Sequence, residues 1–73
     1  MNMERNEYAF VKNIENIPDE SVVKTIRGIS GRIDFVAQKE NWSVELKKGV
    51  ISDLATRQGI FIEEALKRGL SYE

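Results

Sequence analysis

The longest sustained hydrophobic period in the chain covers residues 50–70. Because an α-helix turns by about 100° per residue, side chains three, four and seven positions apart lie on the same face. Most apolar side chains of this stretch share one such arc: Val50, Ile51, Leu54, Ala55, Phe61, Ile62, Ala65 and Leu66. Three acid–base pairs at i,i+4 spacing also favour a helix: Asp53–Arg57, Glu63–Lys67 and Glu64–Arg68. The pattern predicts a long amphipathic helix in the C-terminal part of the chain.

Two residues in the middle of this helix leave its continuity open. Gly59 weakens a helix interior by about 1 kcal/mol relative to alanine, and Ile60 falls on the charged face. A turn near Gly59 would point Ile60 inward. The pattern therefore fits either one continuous helix or two helices with a break near Gly59. Lys67 and Arg68, followed by Gly69, are typical of a helix C-terminus.

Three segments ahead of the helix have patterns that predict strands. Residues 8–14 are rich in aromatic and β-branched side chains and are apolar on most of both faces, which favours a central strand. Residues 32–38 and 42–46 alternate between apolar and polar positions and are joined by a polar turn, so they predict a β-hairpin. The inward faces of this hairpin would be formed by Ile33, Phe35, Ala37, Trp42, Val44 and Leu46.

Residues 19–29 fit a helix better than a strand. Pro18 is favoured at the first position of a helix, and Asp19 and Glu20 place negative charge in the first turn. Gly31 is suited to end the helix. The apolar residues at helical spacing are Val22, Val23, Ile26 and Ile29. The competing interpretation is a strand over residues 21–27, because most of these side chains are β-branched.

The resulting order of elements, β-α-β-β-α, predicts an α+β fold. It is a three-stranded antiparallel-type sheet with the long C-terminal helix packed on it. If residues 19–29 form a strand, the fold becomes a four-stranded meander plus the C-terminal helix. In both versions the core contains Phe10, Phe35, Trp42, Leu54 and Ile62. Residues 1–7 are expected to be a disordered N-terminus, which leaves residues 8–73 as a single small α+β domain.

Composition narrows the classes of function. The 73 residues include 11 basic and 12 acidic side chains, and neither histidine nor cysteine. The sequence therefore has no disulfide and lacks the usual zinc ligands. Its balanced charge is unlike the basic surface of a non-specific nucleic-acid binder. There is no apolar run of about 18 residues and no signal-peptide pattern. We expect a cytoplasmic protein with no membrane, metal or cofactor partner.

Catalytic and phosphate-binding interpretations depend on few residues. Asp34 and Glu45 would lie on paired strands, where two carboxylates can serve a glycosidase, but solvated acids on an outer face explain them more simply. Gly28 and Gly31 form a G-x-x-G pattern ahead of Arg32. Phosphate-binding loops place such glycines between a strand and a helix, so a turn or helix cap is the better interpretation. We expect no enzymatic activity.

DNA binding is the alternative function. Residues 53–70 resemble a helix-turn-helix, since Leu54 and Ala55 are followed four residues later by Gly59 and Ile60, as in its first helix and turn. The resemblance implies a transcription regulator. The candidate DNA contacts are Lys47, Lys48, Arg57, Lys67 and Arg68. The acidic pair that follows the turn opposes contact with phosphate.

Protein binding is the favoured function. The apolar arc of the C-terminal helix is about 160° wide, against about 100° for an ordinary surface helix. The additional apolar surface either completes a small core or forms an interface, since exposed apolar patches rimmed by charge mark interfaces. The candidate interface residues are Ile60, Phe61, Leu70 and Tyr72.

We therefore expect a small regulatory, inhibitory or adaptor protein that binds a protein partner or itself. Its size and lack of motifs are typical of proteins carried by a phage or other mobile element. Self-association as a homodimer is the simplest form of such binding. On this interpretation Phe61→Glu gives a folded monomer.

Overall fold

The computed structural model describes residues 13–72, which form a helical hairpin. Helix α1 spans Asp19–Ala37, and helix α2 spans Val44–Arg68. A short 3₁₀ turn at Ile14–Asn16 precedes α1. The connector between the two helices makes a sharp reversal, so that α2 packs back along α1 in the antiparallel direction.

The core between the helices consists of two clusters of buried side chains. The first cluster contains Ile14, Val22, Ile26, Phe61 and Ala65. The second cluster lies nearer the connector and contains Ile29, Val36 and Leu54. Between the two clusters, the Gln58 amide nitrogen donates to the Ile26 carbonyl at 2.9 Å and to the Ser30 hydroxyl at 2.6 Å. These contacts join the middle of α2 to the middle of α1.

The predicted α+β fold is wrong, because residues 13–72 contain no strand. Both the three-stranded sheet and the four-stranded meander are therefore excluded for this part of the chain. Residues 32–37 complete α1, and residues 44–46 begin α2. Most of the predicted strand over residues 8–14 lies outside the described residues, and its last residue, Ile14, belongs to the 3₁₀ turn. The expected disordered segment over residues 1–7 also lies outside them.

Residues 32–38 were assigned to a strand because their alternating pattern competes with a helical spacing of the apolar residues. Ile33 and Val36 continue the four-three spacing of the apolar residues earlier in α1, and both face α2. The alternation instead placed Phe35 inward, where the structure leaves it 63% exposed. Glycines at positions 28 and 31 lie inside α1, so they form neither the expected helix cap nor a turn.

Residues 42–46 were assigned to a strand because the helix cap at Ser43 was not recognised in the sequence. The Ser43 hydroxyl accepts a hydrogen bond from the Leu46 backbone N–H at 3.1 Å, which is the arrangement of an N-terminal cap. Glu45 then lies in the first turn, where a carboxylate suits the helix dipole. Val44 and Leu46 are exposed, whereas Trp42 is half-buried against the second cluster.

Several predicted features of the helices are confirmed. Residues 19–29 are helical and directly follow Pro18, although α1 continues past Gly31 to Ala37. The sequence left open whether the C-terminal helix breaks near Gly59, and the structure shows that α2 passes through Gly59 without a break. It ends at Gly69, whose φ of 69° is the left-handed conformation that suits glycine, and whose N–H donates to the Ala65 and Leu66 carbonyls.

The predicted core residues have mixed positions. Leu54 is buried, Ile62 and Trp42 are half-buried, and Phe35 is exposed. Phe10 lies outside the described residues. Phe61 is 2% exposed and is the largest fully buried side chain of the described residues. A core of this size rarely supplies more than about 3–5 kcal/mol, so the fold depends strongly on this one ring.

Two phenylalanines test that dependence. Phe61→Ala is expected to lower the free energy of unfolding by about 3–5 kcal/mol, since it empties the centre of the first cluster. Phe35→Ala, at an exposed position of α1, should cost less than about 1 kcal/mol. Urea denaturation followed by circular dichroism measures both. Equal losses for the two variants would show that the core lies elsewhere.

Candidate protein interface

Helix α2 carries a second stripe of mostly apolar residues, which includes Lys48, besides the apolar stripe that faces α1. Its members recur at spacings of four, three, four, four, three and four residues, and they stay within an arc of about 80°. We call this set the outer stripe: Val44, Lys48, Ile51, Ala55, Gly59, Ile62 and Leu66. The centre of the stripe lies about 110° round α2 from the side chains of Leu54 and Phe61 that pack on α1.

The two ends of the outer stripe are large apolar side chains that are exposed. Val44 is 67% exposed and Leu66 is 64% exposed. Ala55 at the centre is also exposed, while Ile51 and Ile62 are half-buried against the second and first clusters. A Cβ atom at Gly59 would meet no described atom within 4 Å. Along the described residues the stripe is therefore exposed at both ends and at Ala55, and half-buried at Ile51, Gly59 and Ile62.

The far side of α2 is closed by the side chain of Arg68. Its guanidinium donates five hydrogen bonds of 2.7–3.3 Å to acceptors on three parts of the chain. These acceptors are the carboxylates of Glu64 and Asp19 and the carbonyls of Ile14, Glu15 and Ile17. The hydrogen bond to Glu64 raises the pKa of Arg68 above its ordinary value, and Asp19 acts in the same direction. The guanidinium stays charged wherever the protein is folded.

Arg68 positions the 3₁₀ turn against the end of α2. The Ile14 side chain is buried in the first cluster, and Ile17 packs beside it. Arg68 itself is only 17% exposed, and Glu64 is buried with it. Since a charge removed from water needs partners, this ion pair and its carbonyl acceptors form one unit. The turn therefore covers the side of α2 that faces away from the outer stripe.

The predicted interface residues complete the core of the single chain. Phe61 is in the first cluster, and Ile60, Leu70 and Tyr72 are partly buried against it. Ile60 is half-buried, whereas Phe61 is buried. Phe61→Glu would place a carboxylate in the core and should unfold the chain. A role of these four residues in binding stays a prediction.

The predicted DNA contacts do not form one basic surface. Arg68 is bonded internally, Arg57 lies 3.4 Å from Asp53, and Lys67 lies 3.9 Å from Glu64. The Lys47 ammonium donates to the Ala37 carbonyl at 3.3 Å, and Lys48 belongs to the outer stripe. Because α2 is continuous, residues 53–70 also lack the turn of a helix-turn-helix. DNA binding itself stays untested.

Other chemical sites are few in the described chain. Asp34 and Glu45 lie on different helices, and both are exposed rather than enclosed in a cleft. No group of three or more acidic side chains within residues 13–72 is placed to hold a metal ion. Neither helix of that segment is long and apolar enough to cross a membrane. Near the connector, the Lys39 ammonium lies 4.4 Å from the Phe35 ring centre and 5.9 Å from that of Trp42.

The outer stripe was missed in the sequence although a signal for it exists. Val44, Ala55 and Leu66 are eleven residues apart, and so are Ile51 and Ile62. An eleven-residue repeat corresponds to about 3.67 residues per turn, which keeps a stripe on one side of a nearly straight helix. Assigning residues 42–46 to a strand removed Val44 from this repeat.

Comparisons with family models, with curated proteins and with solved structures found no match.

Two arginines of α2 test the role assigned to Arg68. Arg68→Lys keeps the charge but offers three donors instead of five, so it cannot bond every acceptor at once. We expect the Tm to fall by several degrees. We also expect faster amide exchange at Asn16 and Ile17, which close the 3₁₀ turn. Arg57→Lys, at an exposed ion pair, should leave both properties unchanged. Identical behaviour of the two variants would contradict this assignment.

Proposed function

We propose that this chain is a small protein-binding module that regulates, inhibits or links its partner through the outer stripe. One observation carries the proposal. Val44 and Leu66 are large apolar side chains, each about two-thirds exposed, at opposite ends of one stripe. Single exposed apolar side chains are common on proteins. An aligned set along one helix that is rimmed by charge is typical of an interaction surface.

The shape of the stripe supports recognition by helix packing. Its centre holds the small residues Ala55 and Gly59, which let another backbone approach closely, and its ends hold larger anchors. Helices that bind in grooves or bundles present apolar side chains at this kind of three- and four-residue spacing. The opposite side of α2 is already used by Arg68 and the 3₁₀ turn. Near the C-terminal end of α2, the outer stripe is therefore the side left for a partner.

The charge distribution supports a protein partner over DNA. The formal net charge is −1, and four of the five candidate DNA contacts have acceptors inside the chain. No observation in the described residues favours DNA binding, so we do not propose DNA binding as a second function. A cytoplasmic location and an origin in a phage or other mobile element stay predictions from the sequence.

Two exposed leucines on different sides of α2 provide a matched test. Leu66 lies on the outer stripe, whereas Leu46 lies on the far side of the helix from it. Burial of a leucine contributes about 1.5–3 kcal/mol, so Leu66→Gln should weaken binding about 10- to 100-fold. Leu46→Gln should bind as the wild type does. Both positions are exposed, so both variants should keep the helical circular dichroism of the wild type.

The measurement has two stages. Tagged wild-type protein is crosslinked in its source cell and its partners are identified by mass spectrometry, with the chain itself counted among them. Each purified partner is then titrated against the wild type and the two variants. A partner that binds Leu66→Gln as tightly as the wild type, but loses affinity for Leu46→Gln, would contradict the proposal.

A further inference from the structure

The residue spacing of the outer stripe is the same when it is read in either direction from Ala55. Val44 and Leu66 are equally distant from Ala55, as are Lys48 and Ile62, and Ile51 and Gly59. Ala55 also lies next to the middle of α2. We infer that the outer stripe packs antiparallel against the outer stripe of a second copy of this chain, with a two-fold axis close to Ala55. This inference rests on the proposed function and names its partner.

The side chains along such a pairing are complementary in size. Val44 of each copy would lie opposite Leu66 of the other, so each of these four exposed side chains gains an apolar neighbour. Ile51 would lie opposite Gly59, where a Cβ atom would find open space. Ala55 would lie opposite Ala55 at the axis. Large side chains facing small ones allow two helices to interdigitate closely.

The charges beside the stripe favour the antiparallel direction. Lys48 and Glu63 are both exposed, and neither has an ion-pair partner within residues 13–72. Antiparallel packing about Ala55 would bring Lys48 of one copy beside Glu63 of the other, and the two-fold axis repeats this pair. Glu45 of one copy would also lie near Lys67 of the other, although Lys67 already lies 3.9 Å from Glu64 of its own chain. A parallel pairing through the same stripe would instead bring Lys48 of one copy level with Lys48 of the other.

A second copy also supplies what a helical hairpin lacks. Two helices form a single layer, whereas stable domains bury their apolar faces between two layers. One side of this layer is closed over the first cluster by the 3₁₀ turn. The outer stripe lies on the other side, and stacking two hairpins there would give a four-helix arrangement. The near-neutral net charge of the chain does not oppose self-association.

The absence of cysteine from the sequence makes the direction of pairing testable. Val44→Cys and Leu66→Cys chains are oxidised separately and as an equal mixture. Antiparallel packing predicts a disulfide between the two variants, which shifts the product of the mixture from 8.4 kDa to twice that mass. Each variant alone should stay mainly monomeric under denaturing conditions, because its own cysteines would lie at opposite ends of the interface. Both positions are exposed, so the variants should fold.

Leu46→Cys provides the matched control, since position 46 lies at the same end of α2 but off the stripe. Its mixture with Leu66→Cys should give no disulfide-linked dimer. Efficient crosslinking of Val44→Cys with itself would overturn the inference in favour of parallel pairing. Light scattering that finds the wild type monomeric at high concentration would overturn it altogether. If the wild type is monomeric and Leu66→Gln no longer binds another protein that the wild type captures, the proposed function is still supported. If Leu66→Gln binds that protein as the wild type does, both this inference and the proposed function are contradicted.

Discussion

The packing of α1 on one side of α2 sets the direction of every other surface in this chain. Phe61 and Ala65 fill the first cluster, and Leu54 belongs to the second. Between the clusters, Gln58 bonds a carbonyl and a hydroxyl of α1 through one amide nitrogen. A slip of the helices along each other would leave this part-buried amide without acceptors, which carries a free-energy cost. The same contacts fix the rotation of α2, so that Val44 and Leu66 point away from the core.

Helix α2 therefore has three sides with separate roles. One side packs on α1, and a second binds the 3₁₀ turn through Arg68 and its carbonyl acceptors. The third is the outer stripe, whose large residues are exposed at both ends. A helix of 25 residues with apolar positions on two sides has more apolar surface than one partner helix of 19 residues covers. This excess is the physical basis of the proposed interface.

The sequence predicted the helix boundaries that have their own local chemistry. Pro18 with the acids after it marks the start of α1, and Gly69 marks the end of α2. The prediction from sequence was wrong where a strand period and a helix period fit the same residues. Phe35 fits the alternating pattern of a strand, and Ile33 fits the spacing of a helix equally well. Burial decided between them, and burial depends on the distant residues of α2. The burial of Phe61 could not be predicted for the same reason: the width of an apolar arc does not show which part of it the core will use.

The continuity and register of α2 are tested most directly by nuclear magnetic resonance of the full chain. The account predicts helical chemical shifts without interruption over Val44–Arg68, and cross-relaxation between the methyl groups of Val22 and Ala65 at one end of the hairpin. The corresponding contact at the other end joins Val36 to Leu54. Extended-strand shifts over residues 42–46, a break at Gly59, or the absence of both methyl contacts would contradict it.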